Sequence, residues 1–186
     1  MTDLLAIADW PDRVEALVAR IGAPLVTCRV LAECDSTQDV ARSLGVGGVV
    51  VTGRQVAGRG QRGNHWCDTG DDGLAFSLAL PATDDPQRSL AIATALVASL
   101  DVLHPGGFAV KPPNDVLLEG RKVAGVLVEQ SDGVAVIGVG INVRQASFPD
   151  DLDGVAISLA QVGVEVERID ILERVLPGIV TAWAPS

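Results

Sequence analysis

The sequence predicts an α+β fold, with one mixed, mainly antiparallel sheet and helices on one face of it. Strand-like apolar runs follow one another through the second half of the chain, with only short turns between them. One long, almost wholly apolar helical segment, residues 88–103, stands between the two halves. A doubly wound fold would alternate strands and helices regularly, and this chain does not.

The first half of the chain is predicted to contain two helices and two strands. Residues 11–21 show the spacing of an amphipathic helix, and residues 25–33 read as a strand. Ser36, followed three residues later by Asp39, indicates a capping box that opens a short second helix. Glycines end that helix, and residues 49–52 form the next strand.

The second half is predicted to be mostly strands joined by hairpins. Apolar residues alternate over residues 74–80, which predicts a strand with one fully apolar face. Further strands are expected at residues 108–111 and 134–139. A final helix over residues 169–183 is expected to be interrupted at Pro177-Gly178, because proline removes a helical hydrogen bond. Two tight turns are predicted, at Glu119–Lys122 and Ser131–Gly133.

Length, charge and cysteine content limit the class of protein. A chain of 186 residues, 48% hydrophobic and 20% charged, is expected to form one packed domain. Its net charge of -10 argues against binding to nucleic acid or to an anionic membrane. Three cysteines without C-x-x-C spacing favour a reducing cytoplasm, and no apolar run approaches the roughly 20 residues of a membrane span. The two histidines lie far apart in the sequence, so a metal site or a Ser-His-Asp triad has little support.

The most unusual segment is the loop Gly53–Trp66, which holds four glycines and three arginines in an otherwise acidic chain. Glycine lets backbone N–H groups approach a ligand closely, and arginine offers a fixed fork to phosphate or carboxylate. The loop therefore predicts an anion cradle with Arg59 and Arg62 as charge partners. The alternative is a solvated turn whose arginines only offset acidic neighbours.

Three further segments carry polar groups next to predicted strands. Lys111, at a strand end and followed by two prolines, is placed to stabilise negative charge on a carboxylate that attacks phosphorus. Asn114 and Asp115 could satisfy the turn or hold Mg²⁺, and Asn142 could contact a nucleotide. Ser36 and Thr37 could bind a neutral polar head such as a ureido group. Ordinary turns, and a helix cap at Ser36, are the alternatives in each case.

Taken together, these segments resemble the catalytic domain of the biotin protein ligases. The resemblance spans residues 30–143 and rests on five motifs that follow one another in the family order. These are Glu33–Gln38, Gln55–Gly63 with Trp66, Lys111–Asp115, Lys122–Glu129 and Gly138–Val143.

The resemblance implies a two-step reaction. The carboxylate of biotin attacks the α-phosphate of ATP, with Mg²⁺, and forms biotinyl-5′-AMP; a lysine of a biotin carboxyl carrier protein then takes the biotinyl group. Lys111 and Arg59 would be catalytic, and Asp115 would hold Mg²⁺. The biotin-binding set would be Ser36, Thr37, Gln38, Gln55, Arg59, Gly60, Gln61, Lys111 and Gly125. The ATP- and adenylate-binding set would be Arg59, Arg62, Trp66, Asn114 and Asn142.

The chain departs from the family pattern in three places. Gln61 and Asn64 stand where the family has arginines in this loop, and Pro112 stands where it usually has tryptophan. Because Gln61 lacks a charged fork, we hypothesise weaker retention of biotinyl-AMP. We also expect a single catalytic domain, residues 1–186, without the family's DNA-binding or C-terminal β-barrel domain, and pairing of sheet edges in a homodimer. Alternative functions are a non-catalytic biotin- or adenylate-binding relative, or a lipoate or octanoate ligase.

Overall fold

A computed structural model describes residues 6–63, 65–66 and 70–184, and in them one seven-stranded sheet and four α-helices. The helices are α1 (Pro11–Ile21), α2 (Thr37–Leu44), α3 (Arg88–Leu100) and α4 (Arg168–Trp183). The strands are β1 (Thr27–Cys34), β2 (Gly48–Gln55), β3 (Gly73–Pro81), β4 (Phe108–Lys111), β5 (Asp115–Leu118), β6 (Arg121–Ser131) and β7 (Val134–Asn142). No helix in these ranges is long and apolar enough to cross a membrane.

The sheet runs in the order β1-β2-β3-β7-β6-β5-β4, and only the β1–β2 pair is parallel. The other neighbours are antiparallel, so the predicted mixed, mainly antiparallel sheet is confirmed. Both predicted hairpins form as two-residue turns. Glu119-Gly120 and Asp132-Gly133 all have positive φ, between 50° and 76°, as the turn type that matches strand twist requires.

The two faces of the sheet are covered differently. Helices α1, α3 and α4 contribute to one large apolar cluster, which also takes Val49 and Val51 of β2. Helix α2 packs on the opposite face through Ala41, against Val50 of β2 and Val136 of β7. The α+β class is therefore confirmed, but the expectation of helices on one face holds only for α1, α3 and α4, because α2 lies across the sheet from them.

One local prediction needs correction. Helix α4 continues through Pro177 instead of breaking there, because its apolar face is buried and Gly178 lets it lie close to α3. A Cβ on Gly178 would lie 3.1 Å from the Ser99 hydroxyl oxygen. Strand β3 has the predicted apolar face, and its other face is buried as well, because α2 packs there.

Candidate functional site

The predicted polar residues gather on the face of the sheet that carries α2. The first turn of α2, the end of β2 and the following loop enclose a cavity of about 50 Å³ over strands β3, β6 and β7. Ten of the predicted site residues line this cavity: Ser36, Thr37, Gln38, Gln55, Arg59, Gly60, Gln61, Trp66, Asn114 and Gly125. The side chain of Arg62 lies outside the described part of the chain, as do Asn64 and Cys67.

Glycines form the floor of the cavity. Gly125 of β6 and Gly140 of β7 are partners in the sheet, and the Trp66 ring lies directly against Gly140. A Cβ on Gly140 would come within 2.4 Å of that ring, so no larger residue fits beneath Trp66 as it stands. Gly138 lies under the Gln38 amide in the same way, with a Cβ-to-Cδ distance of 3.1 Å. The missing side chains therefore create the space for the site.

A hydrogen-bonded chain holds the polar end of the cavity. Ser36 caps α2 by accepting a hydrogen bond from the Gln38 backbone N–H, as the sequence predicted. Gln55 Oε1 accepts from the Thr37 backbone N–H at 2.9 Å and lies 3.1 Å from the Thr37 hydroxyl. That hydroxyl in turn lies 2.7 Å from the hydroxyl of Ser77, a buried residue of β3 that the sequence reading missed. Its only sequence signal was a serine within an apolar strand.

Arg59 lies at the cavity edge between two carboxylates. Its guanidinium donates two hydrogen bonds of 2.8 Å to Asp39 and one of 3.2 Å to Glu129. These contacts, the bonds to Asp39 first, raise the Arg59 pKa, and Arg59 lowers the pKa of Asp39. The carboxylate of Asp39 thus binds Arg59 and does not close the predicted capping box. A guanidinium has five N–H donors, so Arg59 can still donate to an anion from this position.

The ammonium group that lines the cavity belongs to Lys122, and the catalytic role expected of Lys111 stays a prediction. Lys111 is exposed at the end of the edge strand β4 and does not line the cavity. Lys122, near the start of β6, lines it and places its Nζ 6.0 Å from the centre of the Trp66 ring. In the sequence, Lys122 stands in one of the five family-like motifs, but the motif alone does not indicate a role for it.

Asp115 holds that lysine in place. Its Oδ1 lies 2.6 Å from Lys122 Nζ, and its side chain is only 21% exposed. This contact uses one carboxylate oxygen of Asp115, and the magnesium role expected of Asp115 stays a prediction. Within residues 6–63, 65–66 and 70–184, no group of three or more His, Cys, Asp or Glu side chains could hold a metal ion. In the structure Asp115 is the ion-pair partner that orients Lys122.

A second cavity, of about 90 Å³, meets the first one at Trp66 and Lys122. Asn142 lines the second cavity, and its side-chain amide donates to the backbone carbonyls of Lys122 and Ile157. Asn114 lines the first cavity instead and donates to the Val126 carbonyl at 2.7 Å. The two predicted nucleotide-side asparagines therefore lie in adjoining cavities, and each also fixes a strand.

A third cavity, of about 800 Å³, lies at another end of the molecule, where α1 and α4 end beside β3. Its walls are mainly apolar, and two of its polar side chains are hydrogen-bonded to backbone carbonyls of the protein itself. Arg88 donates to carbonyls at the end of α4, and Trp183 donates to the Pro81 carbonyl. Volume alone does not identify a chemical site, and the convergent polar groups, the lysine and the glycine floor all lie at the smaller cavities.

The sequence is similar to that of known ligases. Residues 31–145 match the model of the biotin/lipoate A/B protein ligase family. The chain is 35% identical over 158 residues to a bifunctional ligase/repressor of Bacillus spizizenii, covering 76% of this chain and 49% of the relative. It is 37% identical over 139 residues to a biotin–[acetyl-CoA-carboxylase] ligase of Mycobacterium tuberculosis, covering 70% and 52%.

A solved structure is similar along most of the chain. The biotin protein ligase from Aquifex aeolicus, in complex with biotin and ATP, superposes with a TM-score of 0.77 at 31% identity. That superposition covers 87% of this chain and 70% of the other. By contrast, the chain spans about half the length of the two relatives matched by sequence.

Proposed function

This chain belongs to the biotin/lipoate A/B protein ligase family, and we propose that it activates biotin with ATP and transfers it to a lysine of a biotin carboxyl carrier protein. The observation that carries this proposal is the meeting of two cavities at Lys122. One cavity has a polar inner end suited to a ureido group, and the other, lined by Trp66, Phe148 and Asn142, would take the nucleotide. The similar Aquifex aeolicus structure contains biotin and ATP.

The first step joins the biotin carboxylate to the α-phosphorus of ATP. A carboxylate oxygen forms the new bond to phosphorus, the bond from phosphorus to the bridging oxygen breaks, and pyrophosphate leaves. Negative charge grows where the two substrates meet, and a fixed ammonium there lowers the barrier. Lys122 lies at the junction of the two cavities, and Asp115 restrains its Nζ. We propose Lys122 as the source of this ammonium, with Lys111, which the sequence motif predicts, as the alternative.

The second step requires that the adenylate remain bound and protected from hydrolysis by water. The amine of a carrier lysine attacks the acyl carbon, the bond to AMP breaks, and the amine loses a proton. Arg59, Gly60 and Trp66 line the cavity, which supports a role for this loop in excluding water. Mg²⁺ would arrive with the phosphates of ATP, and a contact of Asp115 with it stays a prediction.

The partner of the second step is proposed to be a cytoplasmic carboxyl carrier protein. Strands β1 and β4 are the two edges of the sheet, and pairing of such edges in a homodimer stays a prediction. The expected lack of nucleic-acid binding stays a prediction as well.

Pyrophosphate exchange tests the first step directly. The protein is incubated with ATP, Mg²⁺ and radiolabelled pyrophosphate, and biotin or lipoate is added in turn. We expect label to enter ATP only when biotin is present. Exchange with lipoate alone would show a lipoate ligase. Measurable biotin binding without exchange would show a non-catalytic relative.

A further inference from the structure

The side-chain amide of Asn142, in the second cavity, is held by a residue that lies outside both cavities. Its Nδ2 donates to the backbone carbonyls of Lys122 and Ile157, so its Oδ1 is left to face a donor. Gln145 supplies that donor, with its Nε2 3.4 Å from Asn142 Oδ1. Asn142 is 5% exposed and Gln145 is 3% exposed, and Gln145 lines neither cavity. Gln145 therefore fixes the orientation of the Asn142 amide from behind the site.

One orientation of the Gln145 amide is compatible with this contact. The backbone carbonyl of Gln145 accepts a hydrogen bond of 2.7 Å from the hydroxyl of Ser158, a fully buried residue, which holds the main chain. Turning the amide over would bring two acceptors, Gln145 Oε1 and Asn142 Oδ1, together. In the observed orientation Oε1 is buried without a hydrogen-bond partner among the described residues, which is unfavourable. The bond to Asn142 is therefore the contact that this amide is placed to make.

A glycine and a buried arginine support the Gln145 amide. A Cβ on Gly73, the first residue of β3 and the register partner of Asn142, would lie 3.1 Å from Gln145 Nε2. The Gly73 carbonyl accepts a hydrogen bond of 3.1 Å from the guanidinium of Arg168, at the start of α4. Arg168 thus holds the strand end on which the Gln145 amide lies.

Arg168 is a buried charge whose ion-pair partner lies at the surface. Its side chain is 1% exposed, and its guanidinium lies 5.0 Å from the centre of the Trp10 ring. The side chain of Asp71, 3.0 Å away, is 79% exposed. Burial, and then the charge of Arg144, lower the pKa of Arg168, and Asp71 opposes both. A buried cation favours a carboxylate close by, so Arg168 holds Asp71 and Gly73 together where the chain enters β3.

We propose that Gln145 and the Arg168–Asp71 pair are positioning residues for the nucleotide. They hold the Asn142 amide and, through it, the backbone at Lys122. Asn142 and Lys122 both line the second cavity, so their displacement would weaken the binding of ATP. The polar end of the first cavity, at the first turn of α2, would keep its contacts. The inference rests on the proposed function and extends it to residues that touch neither cavity.

Gln145→Met keeps the length of the side chain and removes the donor to Asn142. We expect the KM for ATP in biotin-dependent pyrophosphate exchange to rise about tenfold, while the KM for biotin changes by less than about threefold. Gln130→Met makes the same chemical change near the far end of β6, where Gln130 contacts Thr83, and should leave both KM values unchanged. A loss of folded protein would lower the rate without separating the two KM values.

Asp71→Ala tests the same positioning from the surface. The variant is expected to fold, because water can reach the place of an exposed carboxylate. We expect the KM for ATP to rise about threefold and the KM for biotin to stay within about twofold of wild type. Asp71→Glu, which keeps a carboxylate, should restore the KM for ATP. Asp72→Ala is the matched control, because Asp72 is the next exposed carboxylate and the Arg168 guanidinium is hydrogen-bonded to Asp71.

The results distinguish failure of the inference from failure of the proposed function. If wild-type protein exchanges pyrophosphate with biotin but a folded variant keeps the wild-type KM for ATP, the positioning role of that residue is wrong and the proposed function stands. An equal rise in both KM values also overturns the inference. If Gln145→Met does not fold, Asp71→Ala decides. If wild-type protein exchanges no pyrophosphate with biotin, the proposed function fails and the inference fails with it.

Discussion

Strand β7 presents two contrasting faces within nine residues. On one face Ala135, Ile137, Val139 and Ile141 are buried in the large apolar cluster under α1, α3 and α4. On the other face Gly138 and Gly140 leave room for Gln38 and Trp66. Both faces share one backbone and one register. The contrast indicates that side chains on one face stabilise the fold, while their absence on the other creates the site.

If one face of β7 serves stability and the other serves activity, substitutions on the site face should lower activity without unfolding the protein. The largest such effect is expected for Lys122→Gln, which removes the ammonium at the junction of the two cavities. Biotin-dependent pyrophosphate exchange should fall at least about a hundredfold. Lys111→Gln, on the exposed end of β4, should stay within about threefold of wild type. A larger loss in Lys111→Gln than in Lys122→Gln would reverse the assignment.

A matched pair on β7 compares the faces directly. Gly140→Ala places a methyl group 2.4 Å from the Trp66 ring, so the ring must move, and we expect exchange to fall about tenfold. Ile137→Ala, three residues away on the core face, should lower the free energy of unfolding by about 2–5 kcal/mol and keep the KM for biotin. Urea unfolding and exchange kinetics on both variants check this. Loss of stability in Gly140→Ala with full activity would contradict the separation.

The contrast between local signals and tertiary packing also explains which parts of the fold the sequence predicts. Most of the element pattern was predictable, because hydrophobic periodicity and the turns at Glu119 and Asp132 are local signals. The continuity of α4 was not, because burial of its apolar face and the close approach at Gly178 are properties of the packed molecule.

The sequence motifs predicted most of the site residues, but they do not show which of two lysines lines the cavity. That depends on how the strands pair in the sheet. Lys111 and Lys122 both belong to motifs, and only the antiparallel pairing of β4, β5 and β6 shows which one reaches the cavity. Ser77 was hidden for a related reason. The role of its hydroxyl depends on its contact with Thr37 at the start of α2. That contact joins residues 40 positions apart, so local sequence does not predict it.

A smaller effect is expected inside the covering loop. Gln61 lines the cavity on its outer side, where an arginine would add a charged fork near the adenylate phosphate. Gln61→Arg should slow dissociation of biotinyl-AMP by about three- to tenfold. The measurement is a chase of radiolabelled adenylate from the isolated complex, with Gln130→Arg as the control. Dissociation as fast as in wild type would remove the hypothesis of weak retention.

The smallest effect is expected for the ion pair between Arg59 and Asp39 at the edge of the cavity. Arg59 lowers the pKa of Asp39 below its ordinary value, so the pair stabilises the folded state at neutral pH. That contribution is lost as pH falls through the lowered pKa, because protonation removes the charge. Asp39 is 60% exposed, and water limits the effect to less than about 1 kcal/mol. The melting temperature of Asp39→Asn should therefore lie slightly below wild type at pH 7 and converge with it toward pH 3, whereas exposed Asp84→Asn should show no such trend. A difference that widens on acidification would mean that the Arg59 pair does not stabilise this rim, and that Asp39 matters there in its protonated form.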